Sequence, residues 1–182
     1  MSAKKIRIFI NGFGRIGRNS ARIILEDSSF ELVGINDLYS YEQMAYLLKY
    51  DSIYGTFDHN ISVKENKLFI NNQKVKLFSE PDPENMDIRS LNVDVVLQCT
   101  GMFLTTKSNL PLIENGAKRV IISAPVTDDT PTYIFGVNHQ EYKHESIISN
   151  SSCSANAIVP VSYTHLRAHE TPEHLVCRLL LE

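Results

Sequence analysis

The chain has 182 residues, 43% hydrophobic and 21% charged, which gives room for one well-buried domain of roughly 100–200 residues but not two, and excludes a disordered or fibrous protein. With 18 Lys and Arg against 21 Asp and Glu, the net charge of −3 argues against general attraction to nucleic acid or anionic lipid, so any anion site must be local. Three cysteines (Cys99, Cys153, Cys177) are too few and too scattered for a disulfide framework or a zinc site, and no stretch resembles a signal-peptide core or membrane span, so a soluble protein of the reducing cytoplasm is expected.

Ile6, Ile8 and Ile10, with Phe9 between them, form a short run rich in β-branched residues that stops at Asn11-Gly12, as a buried strand would. Glycines follow at once. From Arg15 to Leu25, the apolar residues Ile16, Ile23, Ile24 and Leu25 suit a helix packed on a sheet, and Glu31 to Asp37 reads as the next strand, completing a βαβ unit. Ser40-Tyr41-Glu42-Gln43 has the form of a capping box ahead of Met44, Leu47 and Leu48 on one helical face. Between Ile61 and Leu77 the pattern changes to alternation, Val75 and Leu77 against Lys74 and Lys76, with Asn71-Asn72 as a turn; this predicts an inserted antiparallel ribbon. Val93 to Cys99, Arg119 to Ala124, Thr132 to Val137 and Ser146 to Ser149 read as four further strands, with a helix between Thr105 and Gly116 whose start is blurred by Pro111. Strands alternating with helices predict an α/β fold, a doubly wound and mostly parallel sheet carrying that ribbon.

Gly12-Phe13-Gly14-Arg15-Ile16-Gly17 follows a strand and opens a helix, the context in which G-x-G-x-x-G signals a Rossmann dinucleotide site. The first glycine permits the tight turn, the second lets backbone amides approach a pyrophosphate, and the third lets helix and strand pack closely, while the helix N-terminus supplies free N–H groups and positive dipole charge. Asp37, twenty residues beyond Gly17, ends the second strand where a carboxylate can accept hydrogen bonds from the adenosine ribose hydroxyls; its plainer reading is a turn or N-cap aspartate. A ribose 2′-phosphate would bring about −1.5 to −2 charge toward that carboxylate, so NAD is expected over NADP.

Ser149 to Asn156 surrounds Cys153 with small polar residues after a strand, and Ala157-Ile158-Val159 looks like a helix beginning. A thiol near a helix N-terminus is favoured as thiolate by backbone amides, whereas most cysteines, Cys99 in its apolar strand among them, read as small buried hydrophobes. Both readings stay open for Cys153 on spacing alone.

The sequence words INGFGRIGR (Ile10 to Arg18), IND (Ile35 to Asp37), LLKYDSIYGTF (Leu47 to Phe57), CTGMFLT (Cys99 to Thr105), GAKRVIISAP (Gly116 to Pro125), GVNHQEY (Gly136 to Tyr142) and SNSSCSAN (Ser149 to Asn156) together resemble the phosphorylating glyceraldehyde-3-phosphate dehydrogenases, in order and over Lys5 to Val161. The resemblance implies a cofactor site of Asn11, Gly12, Gly14, Arg15, Ile16, Gly17, Asp37, Thr100, Gly101 and Ser123, with Arg15 and Ile16 placing backbone on the pyrophosphate, Asp37 on the ribose and Ser123 near the nicotinamide. It implies Cys153 as nucleophile, with Ser152 and Ser154 beside the substrate, in NAD-dependent oxidation of glyceraldehyde 3-phosphate to 1,3-bisphosphoglycerate. It further implies a phosphorylated aldehyde and inorganic phosphate as small-molecule partners, a cytoplasmic homotetramer, and neither nucleic acid, membrane nor metal. An erythrose-4-phosphate dehydrogenase shares these motifs, and a nucleotide-binding or thiol-sensing module without turnover is the reading from another class. Two departures stand out: Ser79-Glu80-Pro81-Asp82-Pro83 replaces a family stretch with an arginine near the adenine, and Ala157 stands where many members have a second cysteine.

On this reading residues 1–150 form the NAD-binding domain and 151–161 begin a catalytic domain, after which the resemblance stops. The expectation is a chain truncated after its cysteine, inactive by itself for want of the family's histidine base and phosphate sites. The tail, 162–182, carries His165, His169 and His174; they could bind metal, although Pro172 separates the third from the others, and a tail without a role is the plainer reading.

Overall fold

In chain order the elements are β1 (Ile6–Asn11), α1 (Arg15–Glu26), β2 (Phe30–Asn36), α2 (Tyr41–Lys49), β3 (Tyr50–Asp51), β4 (Gly55–Thr56), β5 (Ile61–Lys64), β6 (Lys67–Ile70), β7 (Gln73–Phe78), β8 (Val95–Gln98), α3 (Thr106–Glu114), β9 (Arg119–Ile122), β10 (Ile147–Ser149) and α4 (Cys153–Ser162). They come from a computed structural model that describes residues 4–65, 67–71, 73–162 and 164. His165, His169, His174, Cys177 and the rest of the tail lie outside the described residues, as does Asn72 of the predicted turn.

Eight strands form one sheet in the order β10-β9-β8-β1-β2-β7-β6-β5. β10, β9, β8, β1, β2 and β7 run parallel, and β5, β6 and β7 pair antiparallel, so the ribbon is inserted after α2 and rejoins the parallel sheet through β7. Alternation along β1 shows why both faces are covered. Ile8 and Ile10 join a core with Ala21 and Ile24 of α1, Met44 and Leu48 of α2 and the ribbon's Leu68, Ile70, Val75 and Leu77. Phe9, between them, points the other way into a core with Val96, Val120, Ile147 and Leu112 of α3.

Local signals fix the helix starts. Gln43 N–H donates to the Ser40 hydroxyl (3.3 Å) and Ser40 N–H to Gln43 Oε1 (3.1 Å), the expected capping box. A second box, Thr105 with Ser108, starts α3, and the helix runs through Pro111 to Glu114. The far end of α2 is closed by buried Arg22, whose guanidinium donates to the carbonyls of Leu48 (2.8 Å), Lys49 (3.3 Å) and Gly55 (3.1 Å), tying the β3–β4 hairpin to α1.

Two sequence expectations need correction. Thr132 to Val137 is not a strand: apart from one bridge between Thr132 and Ser149, the segment folds into a turn. Asn138 causes this, accepting from Ile134 N–H (2.8 Å) and donating to the Thr132 carbonyl (3.0 Å), while Gly136 sits at φ +84° and Phe135 is 78% exposed. The helix expected at Ala157 begins four residues earlier, at Cys153, where the Ser152 hydroxyl accepts Ala155 N–H (3.0 Å) as a cap.

Candidate functional site

The sheet order changes direction at β1: the chain moves from β1 to β2 on one side and returns through β8 on the other. Loops leaving the carboxyl ends of β1 and β8 therefore diverge, and a crevice opens between them, the place where ligands bind in doubly wound sheets. A cleft of about 450 Å³ lies there. Asn11, Gly12 and Gly14 form its floor; Asp37, Leu38, Tyr39, Glu80 and Pro81 make one lip, following β2 and β7; Cys99, Thr100, Met102 and Phe103 make the other, following β8.

The glycine loop is shaped by close approaches. Gly12 has φ +94°, and a Cβ there would lie 2.6 Å from the backbone nitrogen of Thr100. A Cβ on Gly17 would come within 2.1 Å of the Gly12 carbonyl oxygen, so α1 can start against β1 only with hydrogen at that position. Gly14 differs: a Cβ there would meet nothing within 4 Å and would stand in the open cleft. Gly14 is also the N-cap of α1 and supplies no side-chain cap, which leaves the first-turn N–H groups facing out of the helix end as anion donors. This cradle fits a dinucleotide pyrophosphate.

Asp37 is built into the same loop. Its Oδ2 accepts the N–H of Phe13 and its Oδ1 accepts the N–H of Tyr39 (3.1 Å). Both sequence readings are thus present in one residue, the turn-forming aspartate and the carboxylate at the cleft. Each oxygen keeps a further lone pair for a ligand hydroxyl. Glu80 adds a second carboxylate to this lip, and among the described residues no Lys or Arg lines the cleft.

The other expected site residues are placed unevenly. Arg15 and Ile16 are exposed at the first two positions of α1, beside the cleft. The Thr100 side chain faces inward, donating to Gln98 Oε1 (3.0 Å) and accepting Met102 N–H (3.2 Å); Gly101 makes the turn between them at φ +71°. Ser123 turns back to the Gln98 carbonyl (3.1 Å) and is not in the cleft wall. Cys99, expected inside a strand, follows β8 and is half-buried in the wall; burial pushes its thiol up, with the Ser123 hydroxyl pulling the other way.

Cys153, Ser152 and Ser154 do not line the cleft. Cys153 is exposed at the first position of α4, just after β10. Because β10 and β1 run parallel with β9 and β8 between them, the cysteine and the glycine loop both follow carboxyl ends of strands and so share one edge of the sheet. Among the described residues no hydrogen bond reaches its thiol.

Sequence reasoning missed the polar residues at the base of the cleft. Asn36, which lines the cleft with Asn11, and Gln98 and Asn109 behind them are buried and bonded in one line. The available signal was a polar residue closing each of three apolar strands: Asn11 in β1, Asn36 in β2 and Gln98 in β8.

Residues 6–106 match the family described as glyceraldehyde 3-phosphate dehydrogenase, NAD binding domain. The cytosolic glyceraldehyde-3-phosphate dehydrogenase of Trypanosoma brucei brucei is 46% identical over 157 residues, 86% of this chain and 47% of that protein. The corresponding enzyme of Bacteroides fragilis is 43% identical over 159 residues, covering 86% and 48%, and that of Haemophilus influenzae is 42% identical over 166 residues, covering 91% and 48%. The chain spans about half the length of the curated relatives it matches.

Proposed function

The chain belongs to the glyceraldehyde 3-phosphate dehydrogenase family, and from that premise we propose that its cleft holds NAD and that Cys153 is the nucleophile in NAD-dependent, phosphorylating oxidation of glyceraldehyde 3-phosphate. The observation that carries the proposal is the joining of Asp37 to the glycine loop at the sheet's switch point, with an open, uncapped helix N-terminus beside it.

In this reading the first-turn amides of α1 hold the pyrophosphate, and Asp37 accepts the ribose hydroxyls. Bound NAD supplies the hydride acceptor. The Cys153 thiolate would add to the aldehyde carbon, forming a C–S bond as the C=O π pair moves onto oxygen, to give a thiohemiacetal oxyanion. Re-formation of C=O as hydride leaves that carbon for NAD would give a thioester, and inorganic phosphate would displace the thiolate, releasing the acyl phosphate and restoring Cys153. The two sites share one edge of the parallel sheet, which lets a dinucleotide anchored at Gly14 extend toward Cys153. In this reading Ser152 and Ser154, which flank the cysteine, contact substrate.

A cytosolic homotetramer belongs to the same proposal. An exposed apolar surface on α2 and the hairpin supports self-association: Tyr46, Tyr50, Ile53 and Tyr54 are 63%, 49%, 72% and 66% exposed. NADH absorbance with glyceraldehyde 3-phosphate, phosphate and NAD, measured on the protein carrying this chain, tests the activity. Turnover abolished by Cys153→Ser is expected; undiminished turnover in that variant contradicts it.

A further inference from the structure

Four amide side chains run in a line along the base of the cleft, Asn11 and Asn36 at its lining and Gln98 and Asn109 behind, and their direction is fixed at both ends. Asn109 of α3 donates from Nδ2 to the carbonyls of Phe103 (2.9 Å) and Thr105 (2.8 Å), which turns its Oδ1 toward Gln98 Nε2 (3.1 Å). Gln98 then presents Oε1 on its far side, accepting from Asn11 Nδ2 (3.1 Å) and from the Thr100 hydroxyl (3.0 Å). Asn11 Oδ1 accepts from Asn36 Nδ2 (2.7 Å), and Asn36 closes the line on the backbone of Glu80, donating to its carbonyl (2.9 Å) and accepting its N–H (2.8 Å). A primary amide has one donor end and one acceptor end, so each orientation dictates the next. Backbone groups at both termini of the line remove the freedom to flip.

The burial is nearly complete: Asn11 is 1% exposed, Asn36 4%, Gln98 2% and Asn109 0%. Because the line ends on backbone groups of Phe103, Thr105 and Glu80, each amide satisfies a partner that would otherwise be left unpaired. What the line does is connect the two lips of the cleft. One end holds the loop that places Thr100, Met102 and Phe103 in the wall; the other holds Glu80 beside Asp37 and Pro81.

We propose that Asn109, which is not in the cleft wall, is a positioning residue for the cofactor: acting through Gln98, it fixes the separation of the two lips between which the dinucleotide lies. The inference rests on the reading of the cleft as the NAD site. Relaxing the line lets the 99–105 loop shift relative to Asp37, and a displacement of about 1 Å is enough to cost binding geometry.

The test uses the full chain, with NAD dissociation constants from calorimetry well below the melting temperature, and melting temperatures without ligand. Asn109→Leu is expected to weaken NAD about tenfold. Gln98→Leu should do the same, and the double variant should lose no more than about the larger single effect, because both break one line. Leu112→Ala, on the same helix and 0% exposed, is the control: it should lower the melting temperature at least as much as Asn109→Leu and leave NAD affinity unchanged. If Asn109→Leu does not fold, Asn109→Asp keeps the volume and the acceptor toward Gln98 while leaving at most one donor for the carbonyls of Phe103 and Thr105, and a loss in the same direction is expected. Wild-type affinity in the Asn109 variants, or multiplied losses in the double variant, overturns the inference while leaving the NAD site standing. A wild-type chain that binds no NAD overturns both.

Discussion

The Asp37 carboxylate accepts the backbone N–H of Phe13, the residue between the first two glycines of the loop. One side chain therefore does two jobs, bracing the loop that shapes the phosphate cradle and presenting negative charge to whatever fills the ribose position. The two jobs separate by mutation. Asp37→Asn keeps an acceptor for Phe13 N–H and removes the charge, giving up only the acceptor for the exposed Tyr39 N–H, which water can replace. It should melt close to wild type, bind NAD about tenfold more weakly through loss of charge-assisted hydrogen bonds, and show a narrowed preference for NAD over NADP. Asp37→Ala should add a loss of about 1–3 kcal/mol in stability by leaving that N–H unpaired. Calorimetry with both cofactors and thermal melts on the two variants check this; an unchanged NAD:NADP ratio in Asp37→Asn counts against the ribose role.

Gly14 and Gly17 should respond oppositely to one added methyl group. Gly17→Ala places a carbon 2.1 Å from the Gly12 carbonyl oxygen, so helix and strand must part; a loss of about 1–3 kcal/mol in stability is expected. Gly14→Ala meets nothing in the protein, so melting should be unchanged while NAD affinity falls, because the methyl group occupies the cradle. A Gly14→Ala chain that binds NAD normally places the pyrophosphate elsewhere.

Exposure separates the two described cysteines. Cys153 is exposed, whereas burial raises the Cys99 thiol and hinders access to it. Brief iodoacetamide treatment at neutral pH followed by peptide mapping should find Cys153 modified first, with Cys99 labelling gaining as pH rises. Faster labelling of Cys99 refutes the assignment.

Asp94 gives a pH-dependent element of stability. Its carboxylate accepts from Lys118 Nζ and from Arg7 N–H (2.9 Å), joining the entrances of β1, β8 and β9. The Lys118 bond first, then the Arg7 amide, holds its pKa below the ordinary 3.8. A depressed acid stabilises the fold above its unfolded value, and that stabilisation is lost as pH falls through the native one. Asp94→Asn should therefore lower the melting temperature at pH 7 and make progressively less difference below about pH 4. A gap that persists undiminished under acid contradicts the linkage.

The first half of the fold was legible because its signals are local. Alternation in Ile6 to Ile10, three glycines at fixed spacing and a Ser40/Gln43 box each act within a few residues, and each recurs in the structure. The turn at 132–138 was not legible from apolar content, since the side-chain amide of Asn138 outcompetes strand pairing there. The start of α4 was misplaced because Ser152 caps it ahead of the apolar residues. The amide line could not be read from any one segment: Asn11, Asn36 and Gln98 become neighbours only when three strands separated by tens of residues end side by side. The same dependence on assembly explains Ser123, which turns to Gln98 rather than to the cleft.

The most direct test of the account is an NMR titration of the isotopically labelled chain with NAD. The account predicts saturable shifts at the amides of Gly12 to Gly17, Asp37 to Tyr39 and Thr100, with the outer ribbon residues Lys64 and Lys67 unmoved. No saturable shift at the glycine loop, or shifts centred on the ribbon, would contradict it.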